Sequence, residues 1–186
     1  MRLKQLSHWL TKGVGFLSLL LLNGCTQIPE GVTPVTPFEL KSYLGRWYEI
    51  ARLDHSFEEG LTEVTATYSL RDDGGVKVIN RGWSTEKSKW KEAIGKAYFI
   101  DAKNVGSLKV SFFGPFYGGY HIAKLDPDYQ MALIVGPSKE YAWILSRQKH
   151  PTQTQCDVYF KAAQQLGINQ DQWIQIQRCQ ATENQP

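Results

Sequence analysis

Residues 61–70 alternate so regularly that one backbone conformation uses them best. Val64, Ala66, Tyr68 and Leu70 fall on one face, and Glu63, Thr65, Thr67 and Ser69 on the other. A period of two is that of a strand with one buried face and one wet face. Arg71-Asp72-Asp73-Gly74-Gly75 reads as a turn, and residues 76–83 follow as the hairpin partner. Further strand-like runs cover 47–52, 90–99, 108–113, 119–125, 131–135 and 141–146. They are joined by short turn-rich segments such as Asp126-Pro127-Asp128 and Gly136-Pro137-Ser138. Strands repeating at about 10–12 residues mark an antiparallel barrel or sandwich. After them, residues 151–167 carry helical spacing in Val158, Tyr159, Ala162, Ala163 and Leu166, with Pro151 or Thr152 opening the helix and Gly167 closing it. Residues 173–176 read as a last short strand.

The N-terminus has a different character. Arg2, Lys4 and Lys12 precede an apolar run over residues 14–22, too short to span a hydrocarbon core of about 30 Å. This reads as a signal peptide over residues 1–24. It ends in Leu22-Asn23-Gly24-Cys25, which resembles a bacterial lipobox, with Asn23 a departure from the usual small or hydroxyl residue. The resemblance implies that Cys25 becomes the first residue and carries acyl chains, of which two or three hold a protein firmly in a membrane. Thr26 in place of Asp implies outer-membrane sorting, facing the periplasm. Residues 25–37, with Pro29, Pro34 and Pro37, read as a semi-extended lipidated tether. Residues 38–180 form the folded domain and 181–186 a tail.

The whole chain has 21 Lys+Arg against 18 Asp+Glu, but three of the basic residues belong to the first 24, which hold no acid. The body is therefore neutral and lacks the basic footprint of a nucleic-acid binder. Catalytic signatures are missing too. No Gly-x-Ser-x-Gly elbow occurs, the His residues are scattered, and neither metal-ligand spacing nor a phosphate-cradling Gly-rich loop is found. The reading is of a protein that is not an enzyme, with no cofactor and no metal. Glu58-Glu59 and Asp72-Asp73 read as solvated turns.

Three short motifs sit on this frame. Gly45-Arg46-Trp47-Tyr48 opens the first strand, Asp128-Tyr129 lies between the sixth and seventh, and Arg147 ends the eighth. They resemble the signatures of the lipocalin family: Gly-x-Trp, a Thr-Asp-Tyr turn with Pro127 in place of the Thr, and a late Arg. Residues 64–75 and 109–120 resemble more specifically the bacterial outer-membrane lipoprotein lipocalins. The likeness covers about residues 36–178. It implies an all-β fold: an eight-stranded antiparallel up-and-down lipocalin barrel, one C-terminal α-helix and a short ninth strand. In such a barrel the connections alternate between ends, which brings Arg147 to Trp47 at a closed end and makes Gly45, Trp47, Asp128, Tyr129 and Arg147 structural. The mouth then collects Phe57, Phe116, Tyr117, Lys87 and Lys89, a mixture suited to a membrane interface or a lipid head group.

Strand alternation proposes the inward side chains Val64, Ala66, Tyr68, Val78, Asn80, Val110, Phe112, Tyr120, Ile122, Leu133, Val135, Trp143 and Leu145. An eight-stranded barrel holds one small ligand. A mainly apolar lining with a few polar handles suits an acyl chain. The expected function is thus a lipid-anchored outer-membrane carrier of a fatty acid or lysophospholipid, for envelope lipid storage, transport or repair. A sterol-like or isoprenoid ligand, a filled structural barrel and an envelope enzyme are the other readings. Cys156 and Cys179 are destined for an oxidising compartment and are expected to pair, closing a loop of about 24 residues worth roughly 3 kcal/mol. The sequence leaves a homodimer open.

Overall fold

The computed structural model describes residues 25–181; the expected signal peptide and most of the expected tail lie outside the described residues. A short helix α1 (Leu40–Tyr43) precedes β1 (Gly45–Leu53), β2 (Leu61–Leu70), β3 (Val76–Ser84), β4 (Lys89–Phe99), β5 (Ser107–Ser111), β6 (Gly118–Leu125), β7 (Met131–Val135) and β8 (Ala142–Ser146). Helix α2 (Gln153–Gln165), a single 3₁₀ turn and β9 (Trp173–Gln175) follow. Each strand from β2 to β8 pairs antiparallel with the next, β8 pairs with β1, and β1 returns to β2. The sheet is therefore a closed barrel, which removes its exposed edges. One side of β1 pairs with β8, and the other is shared. Gly45 to Tyr48 pair with β2, and Ala51 to Leu53 pair with β9.

Two apolar cores result. The inner one holds Trp47, Ala66, Tyr68, Val78, Ala97, Leu108, Ile122, Ala132, Ile134 and Leu145. The outer one lies between α2 and the wall of β1, β7 and β8, where Cys156, Tyr159, Phe160 and Ala163 meet Ile50, Met131, Leu133, Val135 and Ile144. Two expected inward residues are therefore misplaced by the sequence reading. Leu133 and Val135 face α2, and their neighbours Ala132 and Ile134 face the lumen. All five residues of β7 are apolar and buried, so hydrophobicity carries no phase there.

Helix α2 is held at both ends and by a covalent bond. Thr152 and Gln155 form a capping box, and Gly167 takes the left-handed φ of +83° that ends a helix cheaply. Cys156 and Cys179 form the expected disulfide, tying the helix to the segment after β9.

Strand β5 ends at Ser111, two residues before the expected boundary. Gly114 and Pro115 follow, and the chain turns with Phe116 N–H donating to Phe113 O, so Phe113 stands out in solvent at 79% exposure. The segment expected as a tether does not stand free. Cys25 O accepts from Gly119 N–H, Gln27 O lies 3.0 Å from His121 Nε2, Val35 N–H donates to Ile122 O, and Phe38 N–H donates to Asn104 O. Gly119 makes this docking feasible, because a Cβ there would sit 2.5 Å from the His121 ring.

Candidate ligand-binding site

The floor of the barrel is solid. Trp47 is fully buried, its indole N–H donates to Tyr43 O, and the Arg147 guanidinium lies over its ring at 4.0 Å. The same guanidinium donates to the carbonyls of Ser42, Leu44, Arg46 and Tyr129. One side chain thus binds α1, β1 and the β6–β7 turn, and adds a cation–π contact. Burial pulls Arg147 down from its ordinary value. Phe38 seals the base against Tyr43, Phe99 and Tyr129. In the β6–β7 turn the capping carboxylate is that of Asp126, which accepts from the backbone of Asp128, Gln130 and Met131. The signature residue Asp128 contributes its carbonyl, to Gln130 Nε2, and the Tyr129 phenol accepts from Glu39 N–H.

Above the floor the tyrosines of α1, β2 and β6 converge. The Tyr120 hydroxyl lies 2.7 Å from that of Tyr43 and 2.8 Å from that of Tyr68. Burial drives all three phenols well above their ordinary value, so they stay neutral. Three hydroxyl protons serve two hydrogen bonds, which leaves one O–H able to donate to another group.

Higher still, the lumen opens. Asn80 pairs with Ala66 on one side and Ala93 on the other, in register with inner-core Ala66, so Ala93 faces inward. Ala93 is nonetheless exposed, and Asn80, Val110, Phe112, Tyr120 and Trp143 are only half-buried. The lower inward residues Val78, Ala97 and Leu108 are buried. Solvent therefore reaches the upper lumen and not the base. Phe112 lies flat on the wall because Gly95 opposite has no side chain; a Cβ there would fall 2.8 Å from the ring. The Asn80 side-chain oxygen has no hydrogen-bond partner, a polar handle in an apolar wall.

The mouth carries a buried ionic cluster that the sequence reading missed. Arg52 donates to Glu49 Oε1 at 2.7 Å and to the carbonyls of Glu58 and Leu61. Glu58, read from sequence as solvated, is 5% exposed; its Oε2 accepts from the Trp143 indole N–H and lies 3.1 Å from His55 Nε2. His55 stacks on Phe57 at 3.8 Å. Burial, reinforced by the Glu58 charge and opposed by Arg52, pushes the Glu49 carboxyl up to about 8. A signal for Glu49 was available: it shares strand parity with inward Trp47. Residues 54–60 are thereby pinned across one side of the opening.

Of the expected lining, Ala66, Tyr68, Val78, Ile122 and Leu145 belong to the inner core, with Val110, Phe112, Tyr120 and Trp143 packed against it. Val64 lies against Gly82 of β3. Cys25 is exposed. A separate concavity of about 400 Å³ lies on the outer wall of β1–β4, bordered by Arg46, Glu63, Thr65, Arg81 and Glu92. Its charged rim suits an apolar chain far less than the lumen does.

The lipocalin-like domain family matches residues 38–178, and the chain belongs to that family of binding proteins. Among curated relatives it is 51% identical to outer membrane lipoprotein Blc of Vibrio cholerae, over 87% of this chain and 95% of that protein. It is 60% identical to outer membrane lipoprotein Blc of Escherichia coli K12, over 64% of this chain and 67% of that one. Insecticyanin of the tobacco hornworm shares the fold at a TM-score of 0.64 and 21% identity, covering 83% and 92% of the two chains.

Proposed function

We propose that this protein is an acyl-anchored carrier that takes one single-chain lipid, a fatty acid or lysophospholipid, into the upper lumen, for storage, transport or repair of envelope lipids. The observation that carries the reading is the solvent-reached inward surface of Asn80, Ala93, Val110, Phe112 and Trp143 above a sealed base. Apolar burial drives entry, at about 25 cal/mol per Å² before association costs are subtracted. The spare phenolic O–H of the tyrosine chain and the Asn80 oxygen give a bound chain two polar contacts. Acylated Cys25 holds the protein on the periplasmic side of the outer membrane; the membrane itself is supported by relatives that are outer membrane lipoproteins.

The test uses the form beginning at Thr26, stripped of lipid and titrated separately with a lysophospholipid, a fatty acid and a sterol while tryptophan emission is followed. Trp143 is half-buried on the lumen side, so a bound chain changes its emission. Saturable one-to-one binding of the single-chain lipids is expected. Preference for the sterol would replace the ligand class, and silence from all three would sink the carrier reading.

A further inference from the structure

Anchor, tether and mouth are joined without slack. Twelve residues of free chain would span about 20 Å r.m.s. and let the barrel tumble beneath its acyl chains. Here Cys25 itself is hydrogen-bonded to Gly119, the second residue of β6, immediately after the mouth connection of residues 112–117. The acyl-bearing residue is thus fixed on the wall beside one particular loop.

That loop is built to meet lipid. Phe113 and Phe116 flank Gly114-Pro115 at its tip and are 79% and 75% exposed. Two adjacent rings so bare are not the scattered surface apolar residues that need no account. Among the described residues Phe57 is the other largely exposed Phe, and it also lies in a mouth connection. At the closed end Leu70 is exposed, but the turns present mainly Arg71, Asp72, Asp73, Asp101, Lys103 and Asp128. The mouth also carries exposed Lys87 and Lys89, and Lys109 lies over the Tyr117 ring. Glu86 and Glu140 offset much of that charge, so insertion of apolar surface dominates.

From this arrangement we infer that the β5–β6 side of the barrel mouth rests on the bilayer surface, with Phe113 and Phe116 seated in its interfacial region. The lumen then opens toward the lipid leaflet, and a single-chain lipid moves between bilayer and barrel without crossing bulk water. The inference rests on the proposed acylation of Cys25.

The test places a bimane dye at Phe113→Cys or, at the closed end, at Asp72→Cys, in the full-length acylated chain. The protein is reconstituted in vesicles of phosphatidylethanolamine and phosphatidylglycerol containing nitroxide-labelled lipid. Strong quenching and a blue shift are expected at position 113 and not at 72. Equal quenching, or more at 72, would overturn the orientation. Mass measurement of the N-terminal peptide reports the anchor separately. If Cys25 carries no acyl chain, the anchor reading fails, and the surface is judged on the Cys25→Ser chain alone. Adding Phe113→Ser and Phe116→Ser to that chain should lower its vesicle partitioning by about tenfold, with little salt dependence. Unchanged partitioning in a variant with native circular dichroism would sink the proposal.

Discussion

Arg147 and Arg52 occupy opposite ends of the barrel and show what each end is for. At the closed end Arg147 reaches four backbone carbonyls and covers Trp47. At the mouth Arg52 is the more deeply buried of the two, yet its Nε and the Nδ1 of neighbouring His55 have no hydrogen-bond partner. Groups bonded on every side rigidify a structure, and groups left partly bonded keep free energy in reserve for a rearrangement or a ligand. The base is a plug; the mouth is held by a cluster that keeps unpaired polar groups.

The largest effect should come from breaking the plug. Trp47→Ala removes a fully buried indole and should cost about 3–5 kcal/mol in denaturant unfolding. Next comes the outer core. Replacing Cys156 and Cys179 together by Ala should cost about 3 kcal/mol while leaving lipid affinity unchanged, because the disulfide lies outside the barrel. Tyr120→Phe leaves two buried phenols without their shared partner and should cost about 1–3 kcal/mol.

A pH series separates the mouth from the base. Glu49 titrates near 8 in the folded state against an ordinary value of 4.5, so the folded protein binds more protons between the two. Its contribution is complete below the ordinary value and is lost as pH rises toward 8. Stability should therefore fall across that window in thermal melts, and Glu49→Gln should flatten the fall. An unchanged slope would place the proton elsewhere. The groups facing this site are Arg52, Glu58 and His55. On the anchor, Cys25→Ser should move the protein from the membrane pellet to the soluble periplasmic fraction.

Strand order and closure were legible because the alternation in β2 and the turns between strands are local. Motif placement was legible too, since connections of an up-and-down barrel must alternate between ends. The side-chain phase of β7 was not, because a run buried on both faces has no polar residue to mark the outside. Glu58 was misread for the opposite reason: a loop of polar composition gives no sign that it folds back onto Trp143. The docking of residues 25–37 was not foreseen because, the His121 ring on Gln27 O aside, it uses backbone groups, and Cys25 O on Gly119 N–H leaves no trace in residue type beyond the glycine.

Two adjacent residues of β4 test the central claim most directly. Ala93 faces the lumen and Ile94 the outer wall, and both are exposed. Lysophospholipid binding to the delipidated protein would be measured by native mass spectrometry for Ala93→Trp and Ile94→Trp. One lipid per chain, weakened about tenfold or more by the indole at 93 and untouched by the one at 94, is the predicted result. Equal binding by both variants, each shown to be folded, would place the lipid outside the barrel.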